Sequence, residues 1–576
     1  MNAHTPQERR PGLAALVTAI RRVRMRATVP RLHGGLALAR DKPGLDRPIV
    51  DVPLPRTLVL PLVGYRGRAL APQVAVGQRV ARGESLAAGL PASAAGTVVA
   101  IEPRPIAHPA GRDAPCIVLA SDVTADPTDT LRPTLPALDA LTLGRLVACG
   151  VGGLGGAGFP TPDKLTDAAE GAVHTLVVNG AECEPGIACD EALMAVAADD
   201  IVAGALALAR LAGARRCLFV VESDKREARA ALRAAIDAAL DTASDTGPDL
   251  PDGRSGSGTS DAIALRLIDV APLYPSGAER LLLRLATGID VPAGERPTRH
   301  GLLCVNVATA RAAHRARLGE PSLTRIVTIA GSRVTNPCNA RVAFGTPLAD
   351  VLDATGQGAR DPDTRRRVGG PLSGHDVASE CVPVTATVNR IALERPHRSR
   401  VAVPCIRCAA CSDVCPVGLL PQELLRHAHA GDGAALDRGG LDACLECGCC
   451  DIVCPSSIEL TASFRHARGE RSDARLRERE ATRAEALHRR REARLAGPGD
   501  TRSLSPAPLP ATDSTSVAAS AIATAVTTRV PAPDARHDGG TDTAPPGADR
   551  GAEAAAAALA RARRRRRRKS GETGAP

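Results

Sequence analysis

Aromatic side chains are nearly missing from this chain of 576 residues, which has no Trp, two Tyr and four Phe. A core built on stacked rings is excluded, so packing within the 44% hydrophobic share must rest on Ala, Val and Leu. Long apolar runs are lacking too. No stretch approaches the roughly 20 residues that cross a bilayer as a helix. The short apolar segment 13–20 runs into Arg21 and Arg22, where a signal peptide would need small residues for cleavage. The sequence therefore predicts a basic amphipathic leader over 1–32. The formal net charge of +10 suggests an anionic partner, but much of it sits at the two ends. Arg21, Arg22, Arg24 and Arg26 crowd the start and the run from Arg563 to Lys569 the finish, so no nucleic-acid partner is expected.

Cysteine is plentiful, with 17 residues. Eight of them fall in two runs of one pattern, Cys405-x2-Cys408-x2-Cys411-x3-Cys415-Pro416 and Cys444-x2-Cys447-x2-Cys450-x3-Cys454-Pro455. This spacing wraps three thiolates round one iron–sulfur cubane and sends the fourth to the neighbouring cluster. It predicts two 4Fe-4S clusters, one on Cys405, Cys408, Cys411 and Cys454, the other on Cys444, Cys447, Cys450 and Cys415. The competing readings are paired zinc sites and a disulfide framework. A zinc site has no need of a third Cys two residues on, or of a Pro after the fourth. Cys449 is an extra thiol, and Cys450 fits the spacing better. Free thiolates favour a reducing compartment such as the cytoplasm.

A second chemical stretch lies upstream, Gly150-Val151-Gly152-Gly153-Leu154-Gly155-Gly156-Ala157-Gly158-Phe159-Pro160-Thr161-Pro162-Asp163-Lys164. Six glycines in nine residues free the backbone to approach a ligand, and Thr161-Pro162 opens a helix whose N-terminus suits an anion such as phosphate. A flexible connection is the other reading. The loop matches neither the Walker pattern nor a Rossmann G-x-G-x-x-G. The strand 175–179 then ends in Asn179-Gly180-Ala181-Glu182-Cys183-Glu184-Pro185, which places Asn179, Glu182 and Glu184 at a strand C-terminus, where α/β sheets gather ligand groups. The αβ rhythm continues with helices about 195–214 and 225–240, strands 217–222 and 264–270, and a Gly- and Ser-rich surface loop over 241–261.

The remaining segments complete a multidomain α+β chain. Short strands between glycines, at 58–60, 73–77 and 96–101, read as a barrel-sandwich domain over 33–130. The phrase Val76-Gly77-Gln78-Arg79 with Gly96-Thr97-Val98 resembles biotinyl and lipoyl domains, but no modifiable Lys lies between the halves. The α/β domain is expected at 135–322 and the double-cluster domain at 396–465, and the segment 323–395 between them resembles a small β-grasp domain. The Arg- and Glu-rich segment 458–495 shows no apolar stripe and reads as a solvated charged helix, within a module placed at 466–496. From 497 to 576 the composition predicts disorder.

The phrases Gly152-Gly153-Leu154-Gly155-Gly156-Ala157-Gly158-Phe159-Pro160-Thr161, Val178-Asn179-Gly180-Ala181-Glu182-Cys183-Glu184-Pro185, Tyr274-Pro275-Ser276-Gly277 and Val305-Asn306-Val307-Ala308-Thr309, followed by the double cysteine motif, resemble the RnfC family of the Rnf ion-translocating electron-transport complex. They are more distantly similar to the flavoprotein subunit of respiratory complex I. The resemblance implies FMN contacts from Gly153, Gly155, Gly156, Lys164, Asn179 and Asn306, with Glu182 and Glu184 as the acidic residues near flavin and nicotinamide. It also implies NADH as electron donor, and integral membrane and iron–sulfur or flavin partner subunits. A ferredoxin or iron–sulfur protein would accept the electrons. The expected place is peripheral, on the cytoplasmic side of the inner membrane. Departures are Leu154, Ala181 and Ala308, where the complex I pattern has Arg, Asp and Glu, and Leu36-Ala37, where the family has His-Pro. A soluble NADH diaphorase module of a hydrogenase or formate dehydrogenase is the alternative enzyme, and a flavin-free iron–sulfur relay the alternative outside that class.

Overall fold

The computed structural model describes residues 32–123, 133–170, 172–245, 263–358, 361, 363–396 and 401–495. The expected basic leader, the C-terminal disorder and the closing arginine run lie outside these residues, except for Leu32 at the leader's end.

Strand β1 (Val50–Asp51) precedes a barrel sandwich made of β2 (Thr57–Pro61), β3 (Arg79–Val80), β4 (Ser85–Ala87), β5 (Leu90–Pro91), β6 (Gly96–Pro105) and β7 (Asp113–Ser121). Four strands pair in the order β2-β7-β6-β3, with β4 and β5 as a separate hairpin, around Leu58, Leu60, Leu86, Ile117 and Leu119. The strand expected at 73–77 is instead a turn, in which Gly77 takes φ 87° and the Ala75 amide donates to the Gln78 side chain. Local self-bonding of this kind competes with a sheet ladder.

Helix α1 (Leu143–Ala148) and α2 (Thr161–Glu170) bracket the glycine-rich loop. Next come β8 (Thr175–Asn179), α3 (Cys189–Val196), α4 (Ala198–Ala212), β9 (Arg216–Glu222), α5 (Arg226–Asp245), β10 (Ala264–Val270), α6 (Glu279–Thr287), β11 (Leu302–Asn306) and α7 (Val307–Arg317). The four strands are parallel, in the order β10-β9-β8-β11. The chain moves outward from β8 to β9 to β10 and then returns to the other side of β8. The switch of direction thus lies between β8 and β11, and Asn179 and Asn306 are register partners at their C-terminal ends. Helix α5 runs on to Asp245, into the stretch expected to be loop. With few rings to fill space, α4 and α7 pack through small residues. A Cβ on Gly204 would lie 1.8 Å from the Ala310 carbonyl oxygen.

The next module has β12 (Thr324–Ala330), β13 (Cys338–Ala343), α8 (Leu348–Ala354), β14 (Arg365–Val368), β15 (His375–Asp376) and β16 (Arg390–Glu394). Parallel β12 and β16 form its centre, β13 and β14 flank them antiparallel, and α8 makes the crossover, which is β-grasp topology. β1 extends this sheet alongside β13, so residues just before the barrel serve a different module.

The C-terminal module holds α9 (Ala410–Asp413), α10 (Pro421–His429), α11 (Gly433–Arg438), α12 (Cys449–Val453) and α13 (Leu460–Leu495). The expectation of a wholly solvated last helix is corrected in its first turns. Leu460, Phe464 and Ala467 are buried with Leu424, Leu425, Leu436 and Leu441, while the turns beyond are mostly exposed. Three apolar residues at helical spacing are too few to stand out in a 36-residue charged helix.

Candidate functional site

The glycine-rich loop lies over the C-terminal edge of the parallel sheet, at the switch point where open α/β sheets take their ligands. A Cβ on Gly155 would meet the Asn306 side chain at 3.1 Å, and one on Gly153 would meet the Phe159 carbonyl at 2.6 Å. Gly156 (φ 90°) and Gly158 (φ 70°) are left-handed, a conformation glycine takes at no steric cost. The loop is pinned at Leu154. Its amide donates to the Thr309 hydroxyl at 2.9 Å and its carbonyl accepts from Arg325.

Asn306 caps α7, accepting from the Ala308 amide at 2.8 Å, and its Nδ2 donates to Asp190 at 2.6 Å. Asn179 accepts from the Ala181 amide and donates to the Gly277 carbonyl, both at 2.9 Å. Gly155, Asn306 and Asn179 therefore meet at the switch point of the sheet, where such folds leave a ligand crevice, and Gly153 and Gly156 lie in the same loop. The bare glycine backbone and sheet-edge amides there suit a flat phosphorylated ring such as FMN. Lys164 stands at the rim, where its ammonium donates to Glu279 at 2.7 Å and to the Cys304 carbonyl at 3.0 Å. A phosphate there would compete with Glu279.

The two acidic residues are engaged differently. Glu182 is buried and serves the N-terminus of α3, whose own cap, Ala188, has no side chain for the task. Its carboxylate accepts from the Asp190 amide at 3.0 Å, the Glu191 amide at 3.4 Å and the Cys189 thiol at 3.2 Å. An anion there complements the helix dipole. Burial opposes the charge on Glu182, but the Lys42 and Lys225 ammonium groups hold its carboxyl below the usual range. Burial, then the neighbouring Glu182, push the Asp190 carboxyl up to about 6. Ligand atoms of Glu182, Cys189 and Asp190 lie within 4.8 Å of one another, a grouping that could hold a cation, but the Lys225 ammonium 4.0 Å from Glu182 supplies positive charge already. Glu184 reaches into the β-grasp module, accepting from the Ser373 amide at 2.8 Å, the Ser373 hydroxyl at 2.6 Å and the Leu372 amide.

Three residues not singled out as site residues hold this arrangement. Lys225 is fully buried, donating to Glu222 at 2.8 Å and the Gly180 carbonyl at 3.2 Å. Lys42 donates to the carbonyls of Glu182, Glu184 and Ile187, so one ammonium fixes the acidic loop. The Tyr274 phenol donates to the Cys447 carbonyl at 2.7 Å, joining the α/β domain to a cluster motif. Lysine at a helix start or in an extended segment carries no periodic signal. Tyr274 stands in one of the phrases that carry the resemblance, but nothing near it in the chain points to Cys447.

The cysteines gather as the spacing requires. Cys405, Cys408, Cys411 and Cys454 line one open cavity, together with Arg407, Gln422 and Ile458. Cys415, Cys447 and Cys450 lie near Cys449, and Cys444 and Cys447 near Cys450, so the second set forms another neighbourhood. The two motifs repeat the same backbone. Arg407 and Ala409 are left-handed at φ 57° and 62°, as are Glu446 and Gly448 at 53° and 74°. Such turns make concave nests of N–H groups that favour anionic groups, and the Glu446 amide donates to the Cys444 sulfur. No cysteine among the described residues is in a disulfide. Eight converging thiols with two N–H nests fit two iron–sulfur clusters.

Three family models match the chain. They are the RnfC barrel sandwich hybrid domain over 30–124, the Nuo51 FMN-binding domain over 146–315 and the 4Fe-4S dicluster domain over 401–458. The C subunit of the ion-translocating oxidoreductase complex of Pseudomonas aeruginosa is 38% identical over 409 residues, covering 68% of this chain and 49% of that protein. Its counterpart of the same name from Edwardsiella ictaluri is 37% identical, covering 66% and 46%. The chain belongs to this family of C subunits. It spans about half the length of the curated relatives it matches. Its FMN-binding and dicluster domains agree with the crevice and the two thiol sets. Among solved structures, an NAD+-reducing NiFe hydrogenase in the H2-reduced state aligns with 64% of this chain and 68% of its own at 19% identity, with a TM-score of 0.42, a likeness too loose to carry weight. Among the described residues no single helix is long and apolar enough to cross a membrane, and only α3 and α4 together, bent by 95°, have the length and composition.

Proposed function

We propose that this chain is the electron-input subunit of a membrane complex that couples electron transfer between NADH and ferredoxin to ion translocation, and that it docks peripherally on the cytoplasmic side of the inner membrane. The observation that carries this reading is the Tyr274 to Cys447 bond, which joins an FMN-type crevice to a dicluster module within one polypeptide. FMN, when bound, accepts a hydride from NADH as an electron pair and releases the electrons one at a time. The chain's own residues prepare the place for that exchange. The Gly153 to Gly158 backbone and the two strand-end asparagines define the crevice. Glu182 fixes the start of α3 beside it, and Glu184 draws the Gly370 to Ser373 loop over it. Lys42 holds the loop that carries both glutamates. The cysteine sets receive single electrons within the same frame, and partner subunits supply the ion path.

Purification under strict anaerobiosis, with FMN extraction and EPR before and after NADH, tests the proposal. Bound FMN and two NADH-reducible 4Fe-4S signals are expected. Iron and sulfide without flavin would leave a relay, and zinc in place of iron would end the reading. Membrane fractions washed in high salt should release the chain, and persistence through alkaline extraction would refute peripheral docking.

A further inference from the structure

The dicluster module is held by the rest of the chain on one side. Among the described residues, the bridges that reach it from outside land on the second motif or beside Cys415, the residue that completes its set. The Tyr274 hydroxyl donates to the Cys447 carbonyl at 2.7 Å, and Arg280 reaches the Ala443 carbonyl at 3.5 Å. The Gly35 amide donates to the Val414 carbonyl at 2.9 Å, and a Cβ on Gly34 would lie 2.8 Å from the Cys415 carbonyl. The Leu372 carbonyl, carried on the loop that Glu184 clamps, lies 3.9 Å from where a Cβ on Gly448 would be. Tyr274 is itself buried, between Cys183 and Glu184 of the acidic loop and Cys447 and Cys449 of the motif.

The first motif looks outward. Cys405 and Cys408 are exposed, and the bonds near them stay within the module, as where Val403 donates to the Ser456 carbonyl and Ser456 to that of Pro404. Apolar side chains stand in solvent beside the open cavity, Val401 at 87%, Ile406 at 66% and Val403 at 51% exposure, with Arg407 exposed among them. A run of exposed branched aliphatics marks an interaction surface. What covers it is set by what lies beneath it, a thiol set whose purpose is to pass single electrons. A small apolar patch with one cation suits a transient redox encounter, which buries less than about 1,200 Å².

We propose that the two cluster sites work in reverse order of sequence, and this rests on the function proposed above. The Cys444, Cys447, Cys450 and Cys415 site takes electrons from the flavin crevice across Tyr274. The Cys405, Cys408, Cys411 and Cys454 site passes them to an acidic one-electron carrier protein that docks on Val401, Val403, Ile406 and Arg407. The balance is one NADH giving NAD+, one proton and two electrons, which leave singly on two molecules of oxidised carrier. Tyr274 is a positioning residue in this scheme, joining the acidic loop to the backbone of the inner site.

The test uses the anaerobically purified full chain, with a bacterial two-cluster ferredoxin as carrier. Val401→Glu should keep both EPR signals reducible by NADH but slow transfer to ferredoxin about tenfold or more, since a carboxylate now faces an acidic partner. Transfer at the unaltered rate, also in Val403→Glu, overturns the docking face. Tyr274→Phe should shift the midpoint potential or EPR line shape of the inner signal and leave the outer one alone, and a shift of the outer signal alone overturns the order. Rapid freezing after NADH should show the signal sensitive to Tyr274→Phe appearing first, and its appearing second also overturns the order. If NADH reduces neither signal while dithionite reduces both, the flavin input has failed and the proposal falls with it. If both are reduced but in the opposite order, only the inference falls.

Discussion

Replacing Lys225 by Met removes a fully buried ammonium beside the crevice while keeping much of its volume. Glu222 loses its partner at 2.8 Å, Glu182 one of the two cations that hold its carboxyl down, and the Gly180 carbonyl a donor. Breaking a buried pair by removing one member costs about 3–5 kcal/mol. At about 1.4 kcal/mol per tenfold, that raises the local opening constant by roughly two to three and a half orders of magnitude. The pH sign follows from the directions of shift. Glu182 sits below its ordinary 4.5 in the native state, so its contribution is present above that pH and fades as pH falls. Without Lys225 its native pKa rises and the contribution shrinks, so the variant should lose most at neutral pH and least near pH 4. Asp190, raised from 3.8 to about 6, works the other way, favouring the native state in acid and opposing it as pH rises through that interval. Hydrogen exchange read by mass spectrometry over β8 and α3, at pH values from 4 to 8, checks both claims. Exchange within threefold of the parent at neutral pH, or a deficit that grows in acid, would refute the reasoning.

Three further outcomes follow from the same contacts. Glu184→Ala removes three hydrogen bonds to Leu372 and Ser373, each worth about 1.5–3 kcal/mol to a charged acceptor; both clusters should remain by iron analysis while NADH-driven reduction slows, and unchanged NADH oxidation would take Glu184 out of the site. Cys450→Ser should cost one 4Fe-4S cluster and Cys449→Ser none, as judged by iron content and EPR, and the reverse result would reassign the third ligand of the second motif. Gly204→Val pushes side-chain carbon into the Ala310 backbone at the α4 and α7 crossing, where overpacking typically costs about 1–3 kcal/mol. Its melting temperature should fall, and an unchanged one would show that the helices can part.

Features that depend on near neighbours in the chain are legible in the sequence. The cluster ligands follow a local spacing that the chemistry dictates, and the left-handed residues that shape each loop, Arg407, Ala409, Glu446 and Gly448, sit between those ligands. The glycine-rich loop is legible for the same reason. The segment 73–77 reads as a strand because Val74 and Val76 alternate as a strand would, while Gly77 and the Gln78 side chain close a turn that no alternation records. The first turns of α13 read as solvated because Leu460, Phe464 and Ala467 are outnumbered by charge.

Features supplied from a distance stay hidden. Lys42 fixes carbonyls 140 to 145 residues away, and Tyr274 meets Cys447 across 173. Neither residue type at those positions implies its partner, since closing such loops is a property of the whole fold. The segment 34–51 shows why this matters for electron flow. Gly35 bonds to Val414, Leu36 bridges Tyr274, Lys42 holds the acidic loop, Gly44 accepts from Asn339, and β1 pairs with β13. One extended stretch thus ties cluster module, flavin crevice and β-grasp sheet together, although the sequence places it within the barrel-sandwich domain. Electron transfer between fixed centres depends on their separation, so a strap that crosses all three modules holds the quantity that function requires. Cutting the chain ahead of residue 50 should therefore uncouple NADH oxidation from cluster reduction while both thiol sets keep their iron. Stopped-flow reduction of the truncated protein at the parent's rate would show that the modules hold each other without it.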